Sequence, residues 1–487
     1  MKYLSFDLRA LAFMRIGVAA VIMIDLIIRS TDLEAFYSDT GVIPLEMLFR
    51  YGWNEYFISV HTMSGLWQVQ LILFLLSFFC ALMLLIGYRT QLFTFLSWFL
   101  LLSLHNRNGF ILQGGDDLLR MVLFWCMFIP WGLRYSYDSI ASPYVPKIVV
   151  MPTSVALFAY LVQVAYLYTG SALLKGPEWS SDFTALYYTY SLDQIAYPIT
   201  KYLYYHPGLL KELTRIAFYF ELLIPVLFFV PFAHSVFRLV AVALIVIFHA
   251  FNSITLFIGL FPLIGIVTAL GILPTFVMDR GDLWFMKGRS LLIIIVSAIA
   301  LRIQNFIAWK PSIVVPSWLR NAQTAMLIFL TVFVFDWNFS NLSFIHSKLS
   351  DQLRFIGYSL RLDQSWGMFA PGVFKDDGWY ILKAKPSQER SPAFDLLHPE
   401  EELTLAKPTN VVAMYKNDRW RKYLENYILA EHEFLRGYFC NYTKRVWNER
   451  HADRTIQGLD VIYVKEFTQP DYHYSTPEEQ LLWRCED

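Results

Sequence analysis

Residues 239–278 read LVAVALIVIFHAFNSITLFIGLFPLIGIVTALGILPTFVM, 40 residues without an Asp, Glu, Lys or Arg. About 20 apolar residues suffice to cross a bilayer core. This run is therefore long enough for two crossings, with a break near Gly259-Leu260-Phe261-Pro262. Ser64–Tyr88 and Ile148–Leu174 are also free of charge, and shorter apolar runs lie at 11–29, 91–105, 117–134, 211–232, 290–308 and 319–336. Backbone amides in hydrocarbon must bond internally, so these runs predict helices, nine or ten in all. The N-terminus lacks the ordered basic, apolar and cleavage regions of a signal peptide, which predicts that the first run is retained.

Charge divides the chain. Residues 1–339 carry 39 of the 80 charged side chains and residues 340–487 carry the other 41. The expected architecture is an all-α polytopic helix bundle over 1–339, followed by a small soluble α+β domain over 340–487. Strands are predicted at 378–382 and 459–467. Amphipathic helices are predicted over 418–449, where Trp420, Tyr423, Leu424, Tyr427 and Ile428 recur at helical spacing. A net charge of zero excludes a basic nucleic-acid binder. The four cysteines, Cys80 and Cys126 among them in apolar runs, form no disulfide or zinc pattern. Basic residues place the N-terminus inside and the loops at 30–63, 106–116 and 175–210 outside. An even number of crossings returns the C-terminal part inside; an odd number leaves it outside.

A charge at mid-bilayer costs about 2.5–3.5 kcal/mol on insertion scales, so each one needs a partner or a task. Asp25 lies four residues before Arg29, a spacing that offers a same-face ion pair. Glu221 interrupts an apolar run, as a structural hydrogen-bonding group or as the partner of a cation. His249 shares a helix face with Asn252 and Ser253. It reads either as a packed core histidine or as a functional one. Lys175 ends an apolar run beside Trp179: either it snorkels to the interface, or it is a desolvated amine able to act as a base. The segment from His105 through Asn106, Asn108, Asp116 and Asp117 is dense in polar groups. The two aspartates suit a helix start or could position a substrate; no ligand pattern points to a metal.

Several segments in order resemble a known family: Phe13-Met14-Arg15-Ile16 with Asp25, Ala35 to Val42, Asn106 to Asp117, Tyr168 to Trp179, Phe248-His249 leading to Pro262, and Asp363 to Pro371 with Asp377-Gly378-Trp379. Together they resemble the HTTM (horizontally transferred transmembrane) family, whose membrane domain is similar to vitamin K-dependent gamma-carboxylase. The resemblance implies that Lys175 is a base acting on a reduced vitamin K-type quinone, the only cofactor expected. Quinol oxidation would then drive carboxylation of a glutamate on a peptide or protein substrate. It implies a catalytic part for His249, and substrate positioning by His105, Asn106, Asn108, Asp116, Asp117 and Glu221. The carboxylase's own Asn-His pair falls on Arg107 and Asn108. The alternative reading is a non-catalytic membrane scaffold, transporter-like or immunity-type binder. Either way the expected setting is a lipid bilayer, as a multi-pass protein of a bacterial inner membrane.

Overall fold

In the computed structural model the chain is described over residues 4–141, 149–286, 316–340, 342, 350–388 and 391–485. The predicted helix at 290–308 lies outside the described residues. The other apolar runs form helices: α1 (Leu8–Ser30), α2 (Trp67–Ile86), α3 (Thr90–Arg107), α4 (Gly114–Cys126), α5 (Val155–Leu174), α6 (Pro207–Phe229), α7 (His234–Thr255), α8 (Phe261–Leu270), α9 (Thr275–Met286) and α10 (Ser317–Phe339). Five of them, α1, α2, α5, α7 and α10, are long and apolar enough to cross a membrane alone. The α8–α9 pair, bent by 97°, adds a sixth candidate span. The chain is thus an integral, multi-pass membrane protein in contact with the lipid bilayer.

The helix ends follow local chemistry. Asp7 caps α1 by accepting from Arg9 N at 2.8 Å, and Ser154 caps α5 by accepting from Leu157 N at 3.3 Å. Pro207 opens α6, where its missing N–H costs nothing. The 40-residue run breaks where expected, because Gly259 takes a left-handed φ of +60° that only glycine adopts freely. The bundle packs α1 on α2 and α8, α5 on α6 and α10, and α7 on α6 and α8. The outward faces stay apolar and exposed, with Ile72, Leu75, Val226, Ile247 and Val332 among them. In water such a surface would drive association; in lipid it is solvated.

The C-terminal residues build an antiparallel sheet. Strands β1 (Ser5–Asp7) and β2 (Val150–Pro152) pair separately at the N-terminal end of the bundle. The main sheet holds β3 (Asp376–Pro386), β4 (Phe394–Asp395), β5 (Ile456–Gln469), β6 (His473–Tyr474) and β7 (Glu478–Cys485). Its long β3–β5 pair sets Tyr380 opposite Tyr463 and Ile381 opposite Ile462. Helices α11 (Asp418–Ile428) and α12 (Leu435–Arg450) cover it. The predicted strands are therefore present, and the one or two helices expected over 418–449 are two.

Two expectations about this region change. Cys440 and Cys485 are joined in a disulfide, contrary to the absence of a pairing pattern in the sequence. The partners are 45 residues apart in the chain, and only the packing of α12 on β7 brings their Cα atoms to 6.0 Å. The side of the C-terminal part is also fixed relative to the loops. It touches Asp32 through Lys416, Phe110 through Asn426 and Asp193 through Lys407, one contact in each loop predicted to lie outside. The opposite face gathers β1, β2, Arg238 bonded to Ser5 O, and Asp279 bonded to Arg9.

Thiol alkylation of the unreduced, denatured chain checks the disulfide. The expected result is two alkylated cysteines, Cys80 and Cys126, and four after reduction. Replacing Cys440 by Ser should destabilise the sheet region by about 2–4 kcal/mol, read as faster proteolysis of the C-terminal part.

Candidate functional site

Two polar sites lie at the end of the bundle that meets the C-terminal domain. The first is a buried charge cluster. Arg29 Nε donates to Asp25 at 2.7 Å, and Arg29 Nη2 to Asp116 at 2.6 Å. Arg419, from α11, reaches the same two carboxylates at 2.8 Å and 2.6 Å. None of the four side chains exceeds 6% exposure. Two positive and two negative charges cancel, and the remaining valences are filled. Asp116 also accepts from the backbone N of Gln113 at 2.9 Å, Arg29 donates to the Tyr37 hydroxyl, and Arg419 donates to Ile111 O. Such burial is tolerable because every charge is paired and hydrogen-bonded.

The polar segment expected to position substrate belongs to this cluster and its surroundings. His105 stands 3.5 Å from Asp116 and 3.3 Å from Arg120. Asp117 pairs with Arg120 at 2.8 Å, while Arg120 Nε donates to Arg361 O at 2.8 Å. Asn106 accepts from Arg361 and donates to Ile58 O. Asn108 donates to Phe36 O at 3.1 Å. Asn106 and Asp116 thus seat the C-terminal segment directly, His105 and Asp117 contact the Arg120 that bonds it, and Asn108 bonds the loop carrying Phe36. Asp25, His105 and Asp116 are close enough to share a metal ion. Two guanidinium groups already supply the positive charge there, so the donor set does not suit a cation.

The second site is a cavity of about 500 Å³ between α5, α6, α7 and the C-terminal domain. Lys175, the residue that ends α5, and Glu221, from the middle of α6, both line it. Their side chains are 3% and 5% exposed and form an ion pair, with the ammonium 4.0 Å above the Trp179 ring. Lys175 therefore does not snorkel to the interface; it turns inward to the carboxylate.

His249 does not join that pair. Its Nε2 lies 3.0 Å from the Tyr168 hydroxyl, and its ring packs on Phe261 and against Gly265. A Cβ at Gly265 would stand 2.2 Å from His249 Nε2, so the close approach of α7 and α8 requires glycine. The next polar residue on that helix, Asn252, lines the cavity instead.

The Asp363–Pro371 motif forms the cavity's cover. Trp179 Nε1 donates to Phe369 O at 2.9 Å, and Gly176 N to Pro371 O at 2.6 Å, which carries Met368 and Phe369 over the opening. Gln364 anchors the motif by hydrogen bonds to Gln163 and Trp366. Gly259 meets the same junction. A Cβ there would lie 2.5 Å from Gln113 Nε2 and 2.6 Å from Asp418, which hydrogen-bond each other at 2.7 Å. Sequence reasoning missed Arg419, Arg361 and Gln364. Their partners lie hundreds of residues away, and no local spacing announces them.

The lipase maturation factor transmembrane domain matches residues 9–279, more than half of the chain. The chain belongs to this family. It is a different family from HTTM, although both are membrane domains, and its description speaks of lipase maturation rather than carboxylation. No curated protein matches the chain, and no solved structure does.

Replacing Arg419 by Met should cost about 3–5 kcal/mol, because Asp25 and Asp116 lose a buried counter-charge. Replacing Arg215, exposed and paired with Glu212, should cost under about 1 kcal/mol. Denaturation of the detergent-solubilised chain, followed by release of a protease-sensitive C-terminal part, separates the two. A second expectation concerns Asp377 on β3, in the soluble domain. Burial pushes its carboxyl from 3.8 up to about 7, partly offset by Lys407 and reinforced by Asp193. A raised carboxyl value means that the folded state holds the proton more tightly. Stability from this group is therefore lost as pH rises from about 4 to about 7, and is constant above. The stability difference between wild type and Asp377→Asn should fall over that window and flatten beyond it.

Proposed function

We propose that this chain is a non-catalytic, membrane-embedded maturation factor. Its outer, C-terminal domain would be presented to a folding lipase-class client. The observation that carries this reading is the state of the residue a catalyst would need. Lys175 Nζ is held against Glu221 in a buried ion pair, whereas a base must be directed at a substrate proton. The family match supports the same reading, and so do Asn106 and Asp116, which bond Arg361 and Arg419 of the C-terminal part, while His105 and Asp117 contact Arg120, which bonds Arg361 O. The Cys440–Cys485 disulfide favours an oxidising compartment for that domain. On the expectation of a bacterial inner membrane, this compartment would be the periplasm.

A second reading keeps Lys175 as base on a reduced quinone, with carboxylation of a peptide glutamate as the product. One observation favours it: the lysine does line a largely apolar cavity.

One experiment distinguishes the two. A secreted lipase is co-expressed with the full chain, with no chain, or with Lys175→Ala, and active lipase is measured against total lipase protein. The maturation reading expects a several-fold loss of specific activity without the chain. With Lys175→Ala folded and present at wild-type level, more than half of the wild-type effect should remain. Equal lipase activity with and without the chain overturns it. Fixation of labelled bicarbonate that depends on reduced naphthoquinone and disappears in Lys175→Ala would establish the second reading instead.

A further inference from the structure

The cavity around Lys175 holds more donors than the protein itself uses. Ser171 lies one helical turn before Lys175, on the same face of α5. It is 2% exposed, lines the cavity, and its hydroxyl has no hydrogen-bond partner among the described residues. A buried hydroxyl left unpaired costs about 1–3 kcal/mol, which a bound acceptor would recover. Lys175 carries three N–H donors, and the bond to Glu221 uses one of them. The other wall is apolar, with Ala217 from α6, Phe248 from α7, Leu256 just after α7, and Phe369 from the cover.

Charge selects among ligands. The cavity is lined by three cations, Lys175, Arg421 and Lys422, and by three anions, Glu221, Glu425 and Asp376. The lining is neutral overall. A free carboxylate at Ser171 would sit beside Glu221, and an ammonium would sit beside Lys175. An uncharged carbonyl meets neither repulsion and can accept from both the hydroxyl and the ammonium. Depth selects further. Lys175 marks the end of a 20-residue helix, about 30 Å long and so matched to the hydrocarbon core. That is the level at which glycerol esters lie in a bilayer. The volume is that of a small-molecule site, room for one acyl chain and a small head rather than a two-chain phospholipid.

We propose that the cavity binds an uncharged, single-chain acyl ester lipid such as a monoacylglycerol. Its ester carbonyl accepts from Ser171 Oγ and Lys175 Nζ, and its chain lies along Ala217, Phe248 and Leu256. This is a binding site with no covalent step, and it stands independently of the maturation reading, since no client enters its test.

The test uses the purified full chain in detergent and a photoactivatable monoacylglycerol, with adducts mapped by mass spectrometry. Labelling should concentrate on α5, α6 and α7 and be displaced by unlabelled monoacylglycerol. Ala217→Phe, which fills the cavity, should cut labelling at least fivefold. Ser171→Ala, which adds no bulk and removes one donor, should weaken apparent affinity about fivefold to tenfold, the worth of one hydrogen bond. Size-exclusion profiles identify any variant that fails to fold, and Ser171→Ala then decides if Ala217→Phe is lost. Adducts outside the cavity, or labelling unchanged in both folded variants, overturn the proposal. So does stronger labelling by a matched photoactivatable fatty acid or isoprenoid quinone.

Discussion

The structure depends on four buried charges that have no reason to be in a membrane protein except one another. Asp25 and Arg29 on α1, Asp116 on α4 and Arg419 on α11 close a neutral cluster. Each alone would destabilise the bundle, because an unpaired ion in a low-dielectric interior costs several kcal/mol. Together they make docking of the C-terminal domain a condition for satisfying the membrane helices. The bundle without Arg419 retains two carboxylates facing one guanidinium. The soluble domain without the bundle carries an arginine with nothing to bind. Each part thus specifies the other.

The same junction shapes the cavity. Arg120 holds the carbonyls of Arg361 and Asp363 just before the 363–371 motif, and Gln163 of α5 holds Gln364 within it. These bonds direct the motif across the end of α5, where Phe369 and Pro371 meet Trp179 and Gly176. The cover is therefore positioned by polar contacts on one side of the bundle and used on the other. The left-handed Gly259 lets the α7–α8 turn pass close under Asp418 and Gln113, and so keeps α11 near the membrane helices.

Much of this architecture was legible in the sequence because it is local. Hydropathy runs located the helices, and the strands expected at 378–382 and 459–467 fall within β3 and β5. The four-residue spacing of Asp25 and Arg29 announced their pair, and glycine with proline announced the break after α7. The unread part is long-range. Glu221 and Lys175 were each conspicuous as polar residues in apolar runs, but nothing within one turn of either names the other, 46 residues away. Arg419 lies on an ordinary amphipathic helix of a soluble segment. Only three-dimensional packing shows that it plugs a hole in the membrane domain. His249 stood out for its polar neighbours, yet the ring faces Tyr168 and Gly265, and the neighbour Asn252 faces the cavity. Helical spacing groups residues by face but does not say what stands opposite that face.

The Lys175–Glu221 pair bears on both proposed uses of one cavity. A lone lysine in apolar surroundings would tend to shed its proton and become a base. With a carboxylate beside it, the cheaper solution is to keep both charges and let them neutralise each other. A pair so held directs the amine at Glu221 rather than at a substrate proton. It also leaves two N–H donors on a group with no net charge once its partner is counted, next to a serine hydroxyl with nothing to bind. Such a surface attracts an uncharged acceptor and discriminates against ions of either sign. The residue pattern that suggests a catalytic base in one dimension fits, when the counter-ion is placed, the polar end of the proposed lipid site.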